Sequence, residues 1–273
     1  MNKLSLIICT VNRLNEPINL INSLEKQSNK DFNIVIVDQN KNDDLKDKII
    51  NKYPSLNIRY IHDLKLKGLS NARNKAILKN YSDYLAFPDD DCVYSNNFIE
   101  KILIEIKKEE PKILSVPIMN PQNERIILKK SIDTSLNLYN FWSYACSASI
   151  IVKRDHSILF DENFGLGSSS IFQSGEDSDF ILKYVKSNRI KGSKVFKNIY
   201  GVYHPNIIFN PKKTYIYGVG KGGVIRKNNL FFLLIIDMIK YLLKFFLIFI
   251  DYKKFVTSHH HFTGILKGFI SFK

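Results

Sequence analysis

Three consecutive carboxylates follow a short apolar run in the sequence FPDDDC at positions 87–92. Adjacent acids repel one another, so the end of a buried strand has little structural use for them. Hard oxygen ligands suit Mg²⁺ or Mn²⁺, and a bound cation reverses the local charge balance. Asp89 and Asp91 are therefore the natural pair to share a divalent metal and a diphosphate. A solvated acidic turn after a strand is the alternative at this point.

The residues around these acids predict alternating strands and helices. Apolar runs of strand length occur at residues 4–10, 33–38, 57–62 and 84–87. Apolar residues at helical spacing predict helices near residues 14–24, 70–79 and 95–108. This alternation is typical of an α/β fold with a mostly parallel sheet flanked by helices, in which ligands bind at the carboxyl ends of the strands.

Polar side chains collect at those predicted strand ends. Thr10, Asn12 and Arg13 follow the first strand, and Asp38 ends the second. Because the carboxyl ends of parallel strands meet at one edge of a sheet, we expect these residues and the acids at 89–91 to form one polar rim where a nucleotide would sit.

Composition and charge bound the function further. A chain of 273 residues, 45% of them hydrophobic, can bury one large core or two packed subdomains. Three cysteines without CxxC spacing indicate reduced thiols in the cytoplasm and not a disulfide framework or a zinc site. Residues 191–273 hold 14 of the 40 basic side chains but two of the 26 acidic ones, which predicts an anionic partner such as a phospholipid surface or nucleic acid.

Six stretches of the chain, taken in order, form a recognisable series of motifs: SLIICTVNR at 5–13, VIVDQN at 35–40, GLSNARN at 68–74, FPDDD at 87–91, GLG at 165–167 and GEDSD at 175–179. On these motifs, from about residue 4 to 228, the chain resembles the family 2 glycosyltransferases, which have the GT-A fold. Cys9 departs from the family, which commonly has proline there, and Val11 replaces a common aromatic residue. Neither change removes a functional oxygen.

The resemblance implies roles for single residues. A nucleotide-sugar donor would be held by Thr10, Asn12, Arg13, Asp38, Arg73, Asp89 and Asp90. A divalent metal, Mn²⁺ or Mg²⁺, would be held by Asp91 and Asp89 and bridge the diphosphate of the donor, for which the resemblance favours a UDP-sugar. His204 in VYHP would complete the metal site or contact the diphosphate, although a lone histidine is more often structural.

A candidate general base lies in the GEDSD motif. A sugar hydroxyl is a poor nucleophile until a positioned base takes its proton. The resemblance favours Asp177 for this role, with the adjacent Glu176 as the second choice. The alternative is that these acids only favour the positive end of the helix they open. Direct displacement by the acceptor would invert the anomeric centre, which is the usual outcome in the family.

The last third of the chain predicts attachment to a membrane surface. Residues 230–250 are almost continuously apolar, and the charges Asp237, Lys240 and Lys244 fall on one helix face. A helix in the membrane interface would turn this stripe toward water and bury the rest, whereas a spanning helix rarely gathers three charges near its middle. A helix packed on protein is the alternative. We expect a GT-A domain at 1–228, with a nucleotide half at 1–117 and an acceptor half at 118–228, and a membrane-associating segment at 229–273.

Two further motifs are interpreted as non-catalytic. GVGKGG at 218–223 fits the dinucleotide fingerprint GxGxxG, but no apolar strand precedes it, so we predict a flexible basic loop. The three histidines at 259–261 are remote from the acidic motifs, so we predict a solvated or headgroup-level tract.

The sequence thus favours a metal-dependent, inverting glycosyltransferase on the cytoplasmic face of the plasma membrane. Its acceptor would be a growing polysaccharide or a lipid-linked glycan, and no nucleic acid is expected as a partner. One alternative is a basic protein with a degenerate GT-A domain that binds membrane surfaces or polyanions. A sugar-nucleotide pyrophosphorylase is the other, but it predicts a glycine-rich loop after the first strand, and residues 10–13 contain no glycine.

Overall fold

The computed structural model of the chain describes residues 3–127, 134–187, 193–195, 199–206, 210–245 and 252–272. The chain divides into two compact units. The sheet unit comprises Met1–Leu66, Asn71–Leu159 and Ile181–Asn206, and the helical unit comprises Lys67–Ser70, Phe160–Phe180 and Ile207–Lys273. The sequence predicted a boundary near residue 228. In the structure, residues 160–180 instead group with the C-terminal helices and not with the sheet unit.

The strands and helices alternate through the first half of the chain, and helices dominate its end. The strands are β1 (Leu4–Thr10), β2 (Phe32–Asp38), β3 (Asn57–His62), β4 (Tyr84–Ala86), β5 (Val93–Tyr94), β6 (Ile113–Ser115), β7 (Ile118–Met119), β8 (Arg125–Ile127), β9 (Ile150–Lys153), β10 (Ser193–Val195) and β11 (Val202–Tyr203). The α-helices are α1 (Asn15–Glu25), α2 (Asp44–Ile49), α3 (Leu69–Leu78), α4 (Phe98–Glu109), α5 (Phe141–Tyr144), α6 (Glu176–Ser187), α7 (Pro211–Lys227), α8 (Phe231–Phe245) and α9 (Tyr252–Ser271).

In its described residues the sheet unit contains a seven-stranded sheet with the order β10-β6-β9-β4-β1-β2-β3. Strands β4, β1, β2 and β3 run parallel, and β9 is antiparallel to β4 and β6. Every residue of β1 is buried, as expected for a parallel strand covered on both faces. A smaller sheet has the order β5-β11-β7-β8. The predicted α/β fold with a mostly parallel sheet is confirmed.

Apolar residues at helical spacing attach the flanking helices to this sheet. Leu20, Ile21 and Leu24 of α1 are buried, as are Ile102 and Ile106 of α4. They belong to one hydrophobic core with the inward side chains of β1 and β2. Burial of these stripes is the main source of helix stability in a globular protein, and it fixes where the strand ends open to solvent.

In the helical unit, α7 and α9 pack backbone to backbone through glycines. A Cβ atom added at Gly218 would lie 2.2 Å from the carbonyl oxygen of His261, and one at Gly222 would lie 2.0 Å from that of Ile265. From the other side, a Cβ at Gly268 would lie 1.9 Å from the carbonyl oxygen of Val219. The prediction of a flexible loop at 218–223 is therefore wrong. These residues lie inside a helix, where their lack of side chains permits close helix packing.

A second glycine face of α7 receives the segment Phe160–Phe180. A Cβ atom at Gly220 would lie 2.4 Å from the carbonyl oxygen of Ser174, and one at Gly223 would lie 2.6 Å from the ring of Phe172. The ring of Phe272, just after α9, packs 5.7 Å from that of Phe172, measured between centroids. Helix α7 thus packs against α9 on one face and against the segment 160–180 on the opposite face.

Helix α8 falls within the predicted apolar segment 230–250, of which residues 246–250 lie outside the described residues. No helix in the described ranges is both long enough and apolar enough to cross a membrane. The three histidines lie in α9. His259 is exposed, in line with a solvated or headgroup-level tract, whereas His261 is half-buried and burial lowers its pKa to about 4.

Candidate active site

Register places the ends of three parallel strands side by side in the sheet unit. Thr10 of β1 pairs with Asp38 of β2, and Asp38 pairs with His62 of β3. The Asp38 side chain is fully buried and accepts hydrogen bonds from the Tyr60 hydroxyl and from the backbone N–H of Asn40, the latter at 2.8 Å. The polar rim predicted at the strand ends is thus present, with Asp38 beneath its surface.

Asp90 organises the acidic turn after β4. Its Oδ2 accepts a hydrogen bond of 2.6 Å from the hydroxyl of Thr10, and its Oδ1 lies 2.6 Å from Nη1 of Arg13. Burial raises the pKa of Asp90, and the bonds from Thr10 and Arg13 oppose that rise. Three residues predicted to line the nucleotide pocket therefore bind one another.

Asp91 presents an oxygen that the protein leaves without a hydrogen bond. Its Oδ2 lies 2.9 Å from Nη1 of Arg13. Its Oδ1 is buried, makes no hydrogen bond, and lies 3.3 Å from Nε2 of His204 without the geometry of one. A carboxylate oxygen and an imidazole nitrogen this close can both bind one cation, so these two residues fit a divalent metal.

The same turn contains a weaker ion pair beside the metal candidate. Nη2 of Arg73, on α3, lies 3.4 Å from Oδ1 of Asp89, and the Arg73 side chain is only 3% exposed. Within the described ranges, no group of three or more His, Cys, Asp or Glu side chains is assembled as a metal cluster. A Mg²⁺-type site does not need one, because such ions commonly take one or two protein carboxylates and complete their coordination with water and substrate phosphates.

The helical unit carries the second group of predicted residues. Glu176 and Asp177 lie in the first turn of α6, after Gly175 with φ of +93°. Asp177 Oδ1 accepts a hydrogen bond of 2.6 Å from the backbone N–H of Ser178. A side chain at Gly175 would strain the backbone and press on Gly220 of α7, where the nearest atom lies 3.0 Å from a Cβ position. The backbone conformation of the turn before Asp177 therefore requires glycine at position 175.

A buried ion-pair network holds the start of α6 within this unit. Nζ of Lys227 donates to Asp161 Oδ2 at 2.6 Å and to Asp179 Oδ2 at 2.8 Å. Asp179 is fully buried and also accepts a bond of 3.1 Å from Nδ2 of Asn228. Burial alone would raise the pKa of Asp161, but the bond to Lys227 leaves it lowered. Asp179 therefore has structural partners, Lys227 and Asn228, and differs in this from the catalytic role that the sequence predicted for Asp177 of the same motif.

Two predicted motifs meet in the helical unit. A Cβ atom at Gly68 would lie 3.1 Å from the backbone of Gly167, and both glycines have positive φ, of +85° and +78°. The N–H of Leu69 donates to the carbonyl oxygen of Leu166 at 2.9 Å. The start of α3 and the loop at 165–167 therefore form one backbone junction that tolerates no side chain at either glycine.

Placement of the remaining residues completes the comparison with the sequence. Asn12, predicted at the nucleotide, is exposed with φ of +56° and has no side-chain role in the geometry above. Sequence reasoning did not place Tyr60 and His62 at the polar rim. The Tyr60 hydroxyl donates to Asp38, and the ring Nε2 of His62 lies 2.7 Å from the carbonyl oxygen of Asn40. Both lie within β3, where only the register with Asp38 reveals that they reach the rim.

The family model for glycosyl transferase family 2 matches residues 5–165. The chain belongs to this family. The prediction of a family 2 glycosyltransferase with a GT-A-like fold is therefore confirmed, while the roles of the single site residues stay predictions.

The chain is also similar to curated relatives that are much longer than itself. It is 30% identical over 193 residues to an uncharacterized glycosyltransferase of Rickettsia conorii, covering 70% of this chain and 31% of that protein. It is 25% identical over 198 residues to a teichoic acid poly(glycerol phosphate) polymerase of Staphylococcus epidermidis, covering 68% of this chain and 26% of the polymerase. The chain thus spans about a third or less of these relatives.

Solved structures share the fold. S. aureus TarS 1–349 in complex with UDP-GlcNAc aligns with a TM-score of 0.62 at 20% identity, covering 82% of this chain and 66% of that one. A mannosyltransferase from Pyrobaculum calidifontis, in complex with GDP-Man and Mn²⁺, aligns with a TM-score of 0.61 at 10% identity, covering 97% of this chain and 72% of the other. At these identities the likeness shows the fold alone.

Proposed function

We propose that this chain is a metal-dependent, inverting glycosyltransferase that moves a sugar from a nucleotide-sugar donor to a growing polysaccharide or a lipid-linked glycan. The observation that carries the proposal is the buried Oδ1 of Asp91, which lacks a hydrogen bond and lies 3.3 Å from Nε2 of His204. A buried carboxylate oxygen without a hydrogen bond is costly, so its retention beside an imidazole nitrogen supports a cation bound between the two.

Asp91, Asp89 and His204 would hold Mn²⁺ or Mg²⁺. When bound, such an ion would stabilise, as a Lewis acid, the negative charge that develops on the departing diphosphate. Asp90 would keep the turn in place, because Thr10 and Arg13 bind its two oxygens, and Oδ1 of Asp91 would remain for the ligand. Arg73 would supply a fixed positive charge near the phosphates, since its side chain is almost fully buried.

Asp177 would accept the proton of the attacking sugar hydroxyl, with Glu176 as the alternative. Attack by that hydroxyl on the anomeric carbon forms the new glycosidic bond as the bond to the diphosphate breaks, which inverts the configuration. The Lys227–Asp179 pair would support the base by anchoring the first turn of α6, in which Asp177 lies. A base must be held within hydrogen-bond reach of the proton that it takes.

The donor and acceptor classes rest on similarity. UDP is the favoured nucleotide because TarS, which shares the fold, has been solved with UDP-GlcNAc and with UDP. The mannosyltransferase complex with GDP-Man and Mn²⁺ makes GDP the second choice and supports a metal. A surface-polymer acceptor is supported by the similarity to the teichoic acid polymerase. The basic C-terminal third supports peripheral attachment to the cytoplasmic face of the plasma membrane, where a lipid-linked acceptor would be presented.

Thermal melting of the full chain with Mn²⁺ and UDP, GDP, CMP or dTDP tests the donor site. A ligand at 100 times its dissociation constant adds about 2.7 kcal/mol of stability. We expect a metal-dependent rise with one nucleotide, its loss in Asp91→Asn, and its retention in Asp83→Asn, which makes the same charge change at an exposed aspartate just before β4. A folded protein that responds to none of the four would contradict the proposal and favour a degenerate, polyanion-binding domain.

A further inference from the structure

Helix α8 exposes a broad apolar face. At about 100° per residue, its solvent-exposed aliphatic and thioether side chains cover an arc of roughly 160°. We call this arc the outer face; its members are Ile235, Ile236, Met238, Ile239, Leu242 and Leu243, which are 37–62% exposed. Six large apolar side chains contiguous on one helix exceed the scattered exposure that is normal on a protein surface.

The opposite side of α8 faces the helical unit and contains its one acid. Leu230, just before α8, and Leu233 are buried, and Asp237 Oδ2 lies 2.6 Å from Nζ of Lys221 on α7, an ion pair whose angle is not that of a hydrogen bond. Both side chains are mostly buried, at 12% and 18% exposed. The prediction that Asp237 would face water is therefore wrong. A buried partner on α7 fixes the rotation of α8 and keeps the outer face outward.

A lysine borders the outer face. Lys240 lies about 40° beyond Ile236 on the helix, between the outer face and the side packed on the unit, whereas Lys244 lies a further 40° on, within about 20° of Asp237. Both lysines are exposed. Since Asp237 is neutralised by Lys221, the exposed charge of α8 in its described residues is positive. An apolar arc with a basic border is the pattern of helices that lie in the interface of anionic membranes.

We propose that the outer face of α8 inserts into the headgroup–acyl boundary of a bilayer containing anionic phospholipid, with Lys240 at the phosphate level. This inference rests on the membrane attachment in the proposed function and names the surface that makes it. A second copy of the chain is the other possible occupant of the outer face, and the experiment below distinguishes the two.

Flotation of the full chain with vesicles tests the surface. The vesicles are phosphatidylcholine alone, or with about one third phosphatidylglycerol to supply anionic charge. We expect binding to the anionic vesicles, reduced at least about tenfold in the double variant Ile239→Gln/Leu242→Gln because two large apolar side chains no longer enter the bilayer. Lys240→Gln should weaken binding to anionic vesicles by about fivefold, and should not change binding to neutral ones.

Ile104→Gln is the matched control, because Ile104 is also an exposed aliphatic residue on a helix, α4, at 58% exposure. It should float as the unmodified chain does. Equal vesicle binding by the outer-face variant and the unmodified chain would overturn the proposal. The proposal would also be overturned by the following pair of results. The unmodified chain does not bind vesicles, and sedimentation without lipid shows it to be a dimer that becomes a monomer in the outer-face variant. The nucleotide melting shift, measured on the same samples, separates failure of this surface from failure of the donor site.

Discussion

Gly222→Ala is expected to destabilise the chain although alanine is the better helix former. In an exposed helix interior this change stabilises by about 1 kcal/mol. Here the new Cβ atom would lie 2.0 Å from the carbonyl oxygen of Ile265 and 2.7 Å from the backbone nitrogen of Phe269, whereas ordinary contact begins at 3.4 Å. The first approach is short by 1.4 Å, and the obstacles are backbone atoms that no rotamer change can remove.

Overpacking of a core costs about 1–3 kcal/mol, and a rigid obstacle favours the upper part of that range. After the gain in helix propensity we expect a net loss of about 2 kcal/mol, which for a chain of this size lowers the melting temperature by roughly 4–8 °C. Thermal melting followed by circular dichroism measures it, with Lys212→Ala, an exposed change on the same helix, as the control. A Gly222→Ala protein that melts at or above the unmodified chain would refute the close packing of α7 on α9.

Three further outcomes are expected. Asp177→Asn should lower kcat by about 10²–10⁴ while leaving the melting temperature and the nucleotide shift in place, since it removes the base alone. Lys227→Met should cost about 3–5 kcal/mol of unfolding free energy in chemical denaturation, because it leaves the fully buried Asp179 without its cation. Burial beside Lys221 lowers the pKa of His261 to about 4, below its unfolded value near 6.5. The unfolded state therefore protonates first on acidification, so stability should fall by roughly 3 kcal/mol between pH 6.5 and 4, and His261→Gln should remove that part of the fall.

The sheet and its polar rim could be predicted because their signals are local. β1 has the predicted bounds, since a parallel strand buried on both faces appears as an uninterrupted apolar run, and β3 has them although it is an edge strand whose residues are exposed or half-buried. The acids after β4 could be located for the same reason, as they directly follow such a run. The local sequence does not reveal which residues bind these acids. That Asp90 would bind Thr10 and Arg13, and so leave Asp91 beside His204, depends on residues up to 113 positions apart in the sequence.

The helical unit was predicted less well because tertiary packing reverses local propensity there. Four glycines within residues 218–223 favour a loop on propensity alone. In α7 they are instead the condition for contact with α9 and with the segment 160–180. Asp237 was placed toward water by its position on the helical wheel, but Lys221 supplies a buried partner that the sequence of α8 does not reveal. Lys227 and Asp161 were missed because nothing in the sequence links them.

The glycines on two faces of α7 have a consequence for engineering a form of this chain that does not bind lipid. Deleting the apolar end of the chain is the usual remedy for a protein that adheres to lipid. Here it would remove α9, bare the backbone of Gly218 and Gly222, and take away Phe272, which packs against Phe164 and Phe172 in the segment that leads to Asp177. Polar replacement of the outer face of α8 leaves that support untouched. Lipid binding by the proposed surface would therefore be removed by changing that surface, and not by shortening the chain.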